Sequence, residues 1–157
     1  MSREILFKAK RKDNGEWVEG YYVCVDYLKT HHIVKPEIEF DKYRDLYSQR
    51  MVEYEVDQNT ICQYTGKSDK NGKKVFENDI LKGFQYPFLF EGNYNYFASV
   101  IWFEDVSAFG TYTFKNPQSK VRGISEGDTS YLGEWDNDDW EVIGNIFDNP
   151  ELTGGAS

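Results

Sequence analysis

Apolar positions along this chain recur mostly every second residue. Ile5-Leu6-Phe7-Lys8-Ala9-Lys10 runs into Asp13-Asn14-Gly15, and Glu16-Trp17-Val18-Glu19-Gly20-Tyr21-Tyr22-Val23 follows. A period of two sends alternate side chains to opposite faces of a strand. Asn-Gly suits a tight hairpin turn, because Gly lacks Cβ and Asn tolerates the left-handed region. The pattern predicts strands near 4–11 and 16–25 joined by that turn. Phe40, Tyr43, Tyr47 and Met51 then fall at three- and four-residue spacing, with Asp41 as a candidate cap. That spacing suggests a short helix over 41–50, although Tyr43 and Tyr47 equally fit an irregular segment. Val52, Tyr54 and Val56 alternate with Glu53 and Glu55, which reads as a strand with one wet face.

Farther on, Ile61 to Tyr64 is a short strand, and Asp69-Lys70-Asn71-Gly72 is a second hairpin turn. Val75-Phe76 and Ile80-Leu81 flank an acidic corner at Glu77-Asn78-Asp79. Residues 83–97 are aromatic and rich in Gly and Asn, and are expected to protrude as a loop or irregular hairpin. Ala98 to Phe103 is the clearest buried strand, Phe109 to Phe114 alternates as another, and Trp140 to Phe147 is the last, stopped by Asn149-Pro150. The polar run 115–130, with Gly123 and Gly127, reads as a long turn, and residues 153–157 as a frayed tail. Many short strands with weak helix signals predict a mainly-β fold, with at most one or two short helices. The divisions expected are an N-terminal β region over 1–57, a second domain over 58–152 and the tail at 153–157.

Charge narrows the functional classes. The net charge of -9 is unevenly spread. Residues 1–56 hold 10 basic and 11 acidic groups, 57–97 hold five of each, and 98–157 hold 3 and 11. A duplex-binding surface needs clustered Lys and Arg to displace counterions, so the acidic last third argues against nucleic acid. A small β-barrel protein acting on nucleic acid stays as the alternative class, discriminated by salt-dependent oligonucleotide binding. The aromatic share of 17% means that rings fill much of the core and its edges. There are only two cysteines, Cys24 and Cys62, no apolar leader, and no apolar run near the roughly 20 residues of a membrane span. A reduced cytoplasmic protein without a membrane segment is expected.

Candidate chemistry is sparse. His31 and His32 are the only histidines; adjacent on a strand, they would point to opposite faces. No paired metal-ligand spacing is present. Asp136, Asp138 and Asp139, with Glu134 and Glu141, form an acidic cluster without the Gly and terminal Glu of an EF-hand loop. Glu77 and Asp79 would share a strand face, but Asp79 reads better as an acceptor bracing the corner. Thr65-Gly66-Lys67-Ser68 echoes the end of a P-loop without its first Gly. No catalytic residue, cofactor or metal is assigned. Phe84, Tyr86, Phe88, Phe90, Tyr94, Tyr96 and Phe97 are the candidate interface, because loop aromatics suit protein contacts. Gly66, Asn71, Gly72, Asn78 and Asp79 are the structural turn and corner residues.

Three blocks carry a family resemblance: REILFKAKRKDNGEWVEGYYV (3–23), QYTGKSDKNGKKVFENDIL (63–81) and WEVIGNIFDNPEL (140–152). In combination and order they resemble the YopX family of phage and prophage proteins. The resemblance implies a small, mostly-β protein of the host bacterial cytoplasm whose C-terminal part is an SH3-like barrel. It also implies self-association, and it brings no catalytic residues to carry over. One departure is visible: the family pattern has Gly between the Glu and Asp of the corner, where this chain has Asn78. The function expected is a non-catalytic protein-binding or self-assembling module whose partner is itself or another phage or host protein.

Overall fold

The computed structural model describes residues 3–85, 94–115, 125–134 and 140–154. The chain divides into two units, Met1–Tyr64 and Thr65–Ser157. The division falls inside the strand Cys62–Ser68.

In the first unit, β1 (Phe7–Lys10), β2 (Trp17–Val25), β3 (Thr30–Asp41), β4 (Leu46–Glu55) and the start of β5 (Cys62–Ser68) form an antiparallel sheet. Their order is β4-β3-β2-β1-β5. The expected Asn-Gly turn joins β1 to β2: Gly15 takes φ 74°, and Asn14 Oδ1 accepts the Glu16 N–H at 2.9 Å. Register then builds the core. Ala9 lies opposite Val18, and Ile33 lies opposite Tyr22 on one side and Tyr54 on the other. Ala9, Val18, Ile33 and Val56 are fully or almost fully buried together, with Phe7, Tyr22, Tyr54 and Ile61 packed against them. Each buried Val or Ile stabilises by about 1.5–3 kcal/mol. Val56 reaches this cluster because Arg11 and Val56 form a bridge. There the Val56 N–H donates to His31 O and the Asp57 N–H to Lys10 O, both at 2.9 Å.

No helix forms over 41–50. β3 and β4 instead pair without interruption from His32↔Glu55 to Asp41↔Leu46. Asp41 does act as a cap, its Oδ1 accepting the Tyr43 N–H at 2.9 Å and the Arg44 N–H at 3.3 Å, but it closes a turn. Asp45 takes φ 50°, a left-handed conformation that ends any helical run. The three- and four-residue spacing of Phe40, Tyr43 and Tyr47 is the length of this turn. It is not the pitch of a helix.

In the second unit, β6 (Lys74–Phe76) lies beside the end of β5. β7 (Asp79–Gln85), β8 (Tyr94–Phe103), β9 (Ala108–Lys115), β10 (Thr129–Tyr131) and β11 (Trp140–Asn145) form an antiparallel sheet in the order β10-β9-β8-β7-β11. Its core is Val75, Leu81, Val100, Phe109, Leu132, Trp140 and Val142. Helical structure among the described residues is confined to short 3-10 turns, including Gln58–Thr60, Leu132–Glu134 and Pro150–Thr153. The fold is mainly β, as expected. Among the described residues the second sheet is an open array with β10 and β11 as its ends, and no closed barrel is formed. Strand also reaches farther into 83–97 than expected, since Phe84 pairs with Asn95 and Gln85 with Tyr94.

The corner before β7 behaves as its chemistry requires. Asn78 takes φ 66°; its N–H donates to Val100 O at 2.9 Å, and its carbonyl accepts the Ile146 N–H at 3.0 Å. Asn tolerates this left-handed geometry, Gly suits it better, and a β-branched residue is excluded from it by its Cβ substituents. Asn78→Gly is therefore expected to stay within about 1 kcal/mol of the parent, while Asn78→Val loses at least about 1–2 kcal/mol. Urea unfolding checks this, and equal stability of the two variants would count against the assigned strain.

Candidate interaction surface

Several of the exposed apolar residues of the first unit, Ile38, Phe40, Tyr47 and Met51 among them, lie on one structural feature. β2 changes partner at Gly20, pairing with β1 up to that residue and with β3 from Tyr21 onward. Gly20 passes so close to β3 that a Cβ there would sit 2.5 Å from Val34 O and 2.8 Å from Ile33 Cγ2. The last β2–β3 pair is Tyr21↔Val34. Beyond it, β3 and β4 continue as a two-stranded ribbon, from Lys35↔Val52 to Asp41↔Leu46.

Antiparallel partners share a face, so the register sorts this ribbon into two unlike surfaces. One carries the pairs Lys35/Val52, Glu37/Arg50, Glu39/Ser48 and Asp41/Leu46. Its charges find one another: Lys35 Nζ lies 3.5 Å from Glu37 Oε1 and Arg50 Nε 3.7 Å from Glu39 Oε2. The Tyr54 hydroxyl donates to Glu37 Oε1 at 2.7 Å. That bond, opposed by slight desolvation and helped by the nearby Lys35 ammonium, holds the Glu37 carboxyl below its ordinary range. The other surface carries Pro36/Met51, Ile38/Gln49 and Phe40/Tyr47. It is apolar, yet Ile38 is 74% exposed, Tyr47 76%, Met51 58% and Phe40 48%. The Phe40 and Tyr47 rings lean on each other with centroids 4.8 Å apart. Toward the body of the unit the same face carries Val34 with Glu53 and His32 with Glu55 before it reaches exposed Tyr21 and Val23 of β2, so its uncharged part is the ribbon from Pro36/Met51 to Phe40/Tyr47. An exposed apolar face of this kind marks a candidate interaction site.

The aromatic set expected to form the interface is distributed differently. Tyr96 is only 3% exposed. Its ring lies over Gly83, where an added Cβ would fall 2.1 Å from Tyr96 Cζ, so it fills the interior of the second unit and is not offered to a partner. Phe97 is half-buried, with Lys115 Nζ 5.8 Å from its ring centre. Phe84 and Tyr94 lie at the paired ends of β7 and β8. Tyr86, Phe88 and Phe90 lie outside the described residues, as do Asp136, Asp138 and Asp139 of the acidic cluster.

The turn and corner residues do what their types predict. Gly66 and Gly72 take φ 87° and 79°, and Asp79 is buried, with Oδ2 accepting the Phe76 N–H at 2.8 Å. A residue not singled out from sequence does more. Buried Asp69 accepts three backbone N–H groups, from Asn71 and Lys73 at its Oδ1 and from Val142 at its Oδ2, each at 2.9 Å. It closes its own turn and fastens β11. The Asp-Lys-Asn-Gly turn sequence was the available signal for the first role; nothing local signals the second.

The histidines and cysteines show no convergent site. His31 Nδ1 lies 2.7 Å from Tyr22 Oη. His32 Nδ1 lies 2.8 Å from Glu53 Oε1, and its Nε2 lies 2.9 Å from Thr30 Oγ1. Cys24 is exposed and Cys62 buried, and neither forms a disulfide. Among the described residues no group of three His, Cys, Asp or Glu side chains is placed to hold a metal. Among them too, no helix is long and apolar enough to cross a membrane.

Comparison with known proteins bears on the family and the fold. A family model described as YopX protein matches residues 6–153. No curated protein matches. Among solved structures, protein EF1440 from Enterococcus faecalis is similar over 97% of this chain and 99% of its own, with a TM-score of 0.50 and 20% identity. At that identity the likeness speaks to the fold alone.

Asp69 has a measurable signature. Burial pushes its carboxyl up, but the N–H groups of Val142, Lys73 and Asn71 outweigh this and hold it below the ordinary range. A depressed carboxyl stabilises the fold fully above the ordinary aspartate range, and that stabilisation is lost as pH falls through the lower folded-state value. Asp69→Asn is expected to cost about 1–3 kcal/mol, the penalty of leaving a buried N–H unpaired. It should also flatten the acid limb of the stability profile between about pH 5 and pH 2. Unfolding followed by tryptophan fluorescence across that range checks both, and an unchanged acid limb would remove Asp69 from this role.

Proposed function

The chain belongs to the YopX protein family, and we propose that it acts as a non-catalytic protein-binding module whose working surface is the apolar face of the β3–β4 ribbon. The observation that carries this reading is the pairing of exposure with sidedness. Charges on one face are neutralised within the ribbon, while Ile38, Phe40, Tyr47 and Met51 stand uncovered on the other. Aromatic, Met and branched side chains gathered without charge are the composition of an interface core. A nucleic-acid surface would instead need cations facing the ligand. The reading treats the protein as a phage or prophage accessory factor of the host cytoplasm, working by contact and without chemistry of its own. Its support there is the family resemblance and the engagement of both histidines in local hydrogen bonds.

A photo-crosslinking amino acid tests the sidedness directly. Placed at Tyr47 it is expected to trap a protein adduct in cells, and placed at Ser48, on the charged face, it is not. Equal trapping at both positions, or trapping at neither, contradicts the reading.

A further inference from the structure

Resting on that reading, we infer that the protein takes its partner as an extended peptide segment, added in the antiparallel sense as a further strand along the outer edge of β4. The hydrogen-bond parity of the ribbon leads there. Pairs in an antiparallel ladder alternate between those that exchange backbone bonds and those whose backbone groups point away from each other. The Val56 N–H donates to His31 O at 2.9 Å, so in steps of two Tyr54, Val52, Arg50 and Ser48 bond inward to β3. Glu53, Met51, Gln49 and Tyr47 then turn their N–H and C=O outward. Glu55, next in that set, shows the direction: its carbonyl accepts the Lys12 N–H at 3.0 Å, and Arg11 and Val56 form an antiparallel bridge there. The chain's own Arg11–Lys12 segment thus occupies the body end of the edge. Among the described residues no strand lies beside the rest of it.

The other edge of the ribbon is interrupted. Pro36, Ile38 and Phe40 of β3 are the partners of the outward set, so the N–H that Pro36 lacks would have pointed outward. Proline there denies a guest strand its donor. β4 carries no such protection. From Leu46 to Glu55 it holds no Pro and no Lys, its register is unbroken by any bulge, and its one cation, Arg50, is held against Glu39 at 3.7 Å. A two-stranded ribbon is marginal in water, and a third strand is what makes such a sheet stable.

Side chains select the guest. A strand beside β4 places alternate residues opposite Tyr47, Gln49 and Met51, on the apolar face, and the next opposite Glu53. At that end an open hollow of about 360 Å³ is lined by Lys12, Asp13, Glu53, Tyr54 and Glu55. Lys12 pairs with Glu55 and Arg11 with Asp13. Glu53 has the His32 ring at 2.8 Å and, among the described residues, no Lys or Arg. Charge complementarity therefore asks for a Lys or Arg opposite Glu53, followed in the antiparallel sense by apolar residues at every second position. The guest is a segment of another protein with that pattern, which the side chains sort and the backbone holds.

The test uses the full chain and a capped, fluorescently labelled heptapeptide, Lys-Thr-Val-Thr-Val-Thr-Val. Anisotropy is expected to show saturable binding. N-methylation of the first and second valines removes donors aimed at β4 and is expected to weaken binding about tenfold or more. N-methylation of the second and third threonines, whose N–H groups point away, should leave it within about threefold. Glu53→Lys is expected to weaken this peptide, and to favour one beginning with Glu, by up to about fivefold. Amide exchange read residue by residue should slow most at Tyr47, Gln49, Met51 and Glu53. Absence of saturable binding at millimolar peptide, indifference to the site of N-methylation, or greatest slowing at Ile38 and Phe40 overturns strand addition alone and leaves face-selective crosslinking at Tyr47 standing. Light scattering that gives twice the chain mass for the free protein, and the single mass once peptide is added, assigns the edge to a second copy and also overturns it. Equal trapping at Tyr47 and Ser48 overturns the reading beneath it, whatever the peptide does.

Discussion

β3 and β4 outrun the strand beside them. β2 leaves β3 at Tyr21↔Val34 because it crosses to β1 through Gly20, and past that crossing β3 has β4 as its neighbour. The ribbon therefore has pairing in its plane while most of its side chains on both faces stay exposed. One face meets this constraint by polarity: Glu37, Glu39, Arg50 and Lys35 are solvated and neutralise one another. The other face meets it by being apolar, which water does not favour. The position of the crossing thus makes a solvated side and an uncovered side out of one hairpin, and the function proposed for the chain follows from the uncovered one.

The second unit shows how the chain treats polar groups it does bury. Asp69 and Asp79 are among its most enclosed side chains, and each is given backbone N–H donors. A buried carboxylate with donors at both oxygens is tolerated, and it fixes geometry over distance: Asp69 ties a local turn to β11 through Val142. Tyr96 is placed with similar economy, its ring filling the space that Gly83 leaves open. These residues explain why the stretch from Asp69 to Leu81 is scaffold. Asp69 and Asp79 hold backbone, Gly72 and Asn78 make turns, and Val75, Ile80 and Leu81 are buried.

Much of the fold could be read from residue order. Asn14-Gly15, the period-two runs at 5–10 and 16–23, and the apolar run from Ala98 to Phe103 each specify their element locally, and each forms. What could not be read was set by contacts distant in sequence. Phe40, Tyr43 and Tyr47 fit a helix by spacing, and only the pairing of β3 with β4 reassigns them to a hairpin. Tyr96 and Phe97 are neighbours in an aromatic stretch, yet strand alternation buries the first and leaves the second half-buried. Aromatic density in the sequence points to 83–97, of which Tyr86, Phe88 and Phe90 lie outside the described residues. Ile38, Phe40, Tyr47 and Met51 are diluted among charges in sequence and come together only through cross-strand register. The Asp69–Val142 bond had no local trace at all.

Amide hydrogen exchange bears most directly on the claim that the apolar face of the ribbon is covered by a protein partner. In the complex trapped by the crosslinker at Tyr47, the backbone amides of residues 36–41 and 46–51 should be protected. In the free protein they should exchange faster, while those of the β1–β2 hairpin keep their protection. Equal protection of the ribbon in the free protein and in the complex would mean that the ribbon is stable with its apolar face in water and would contradict the account.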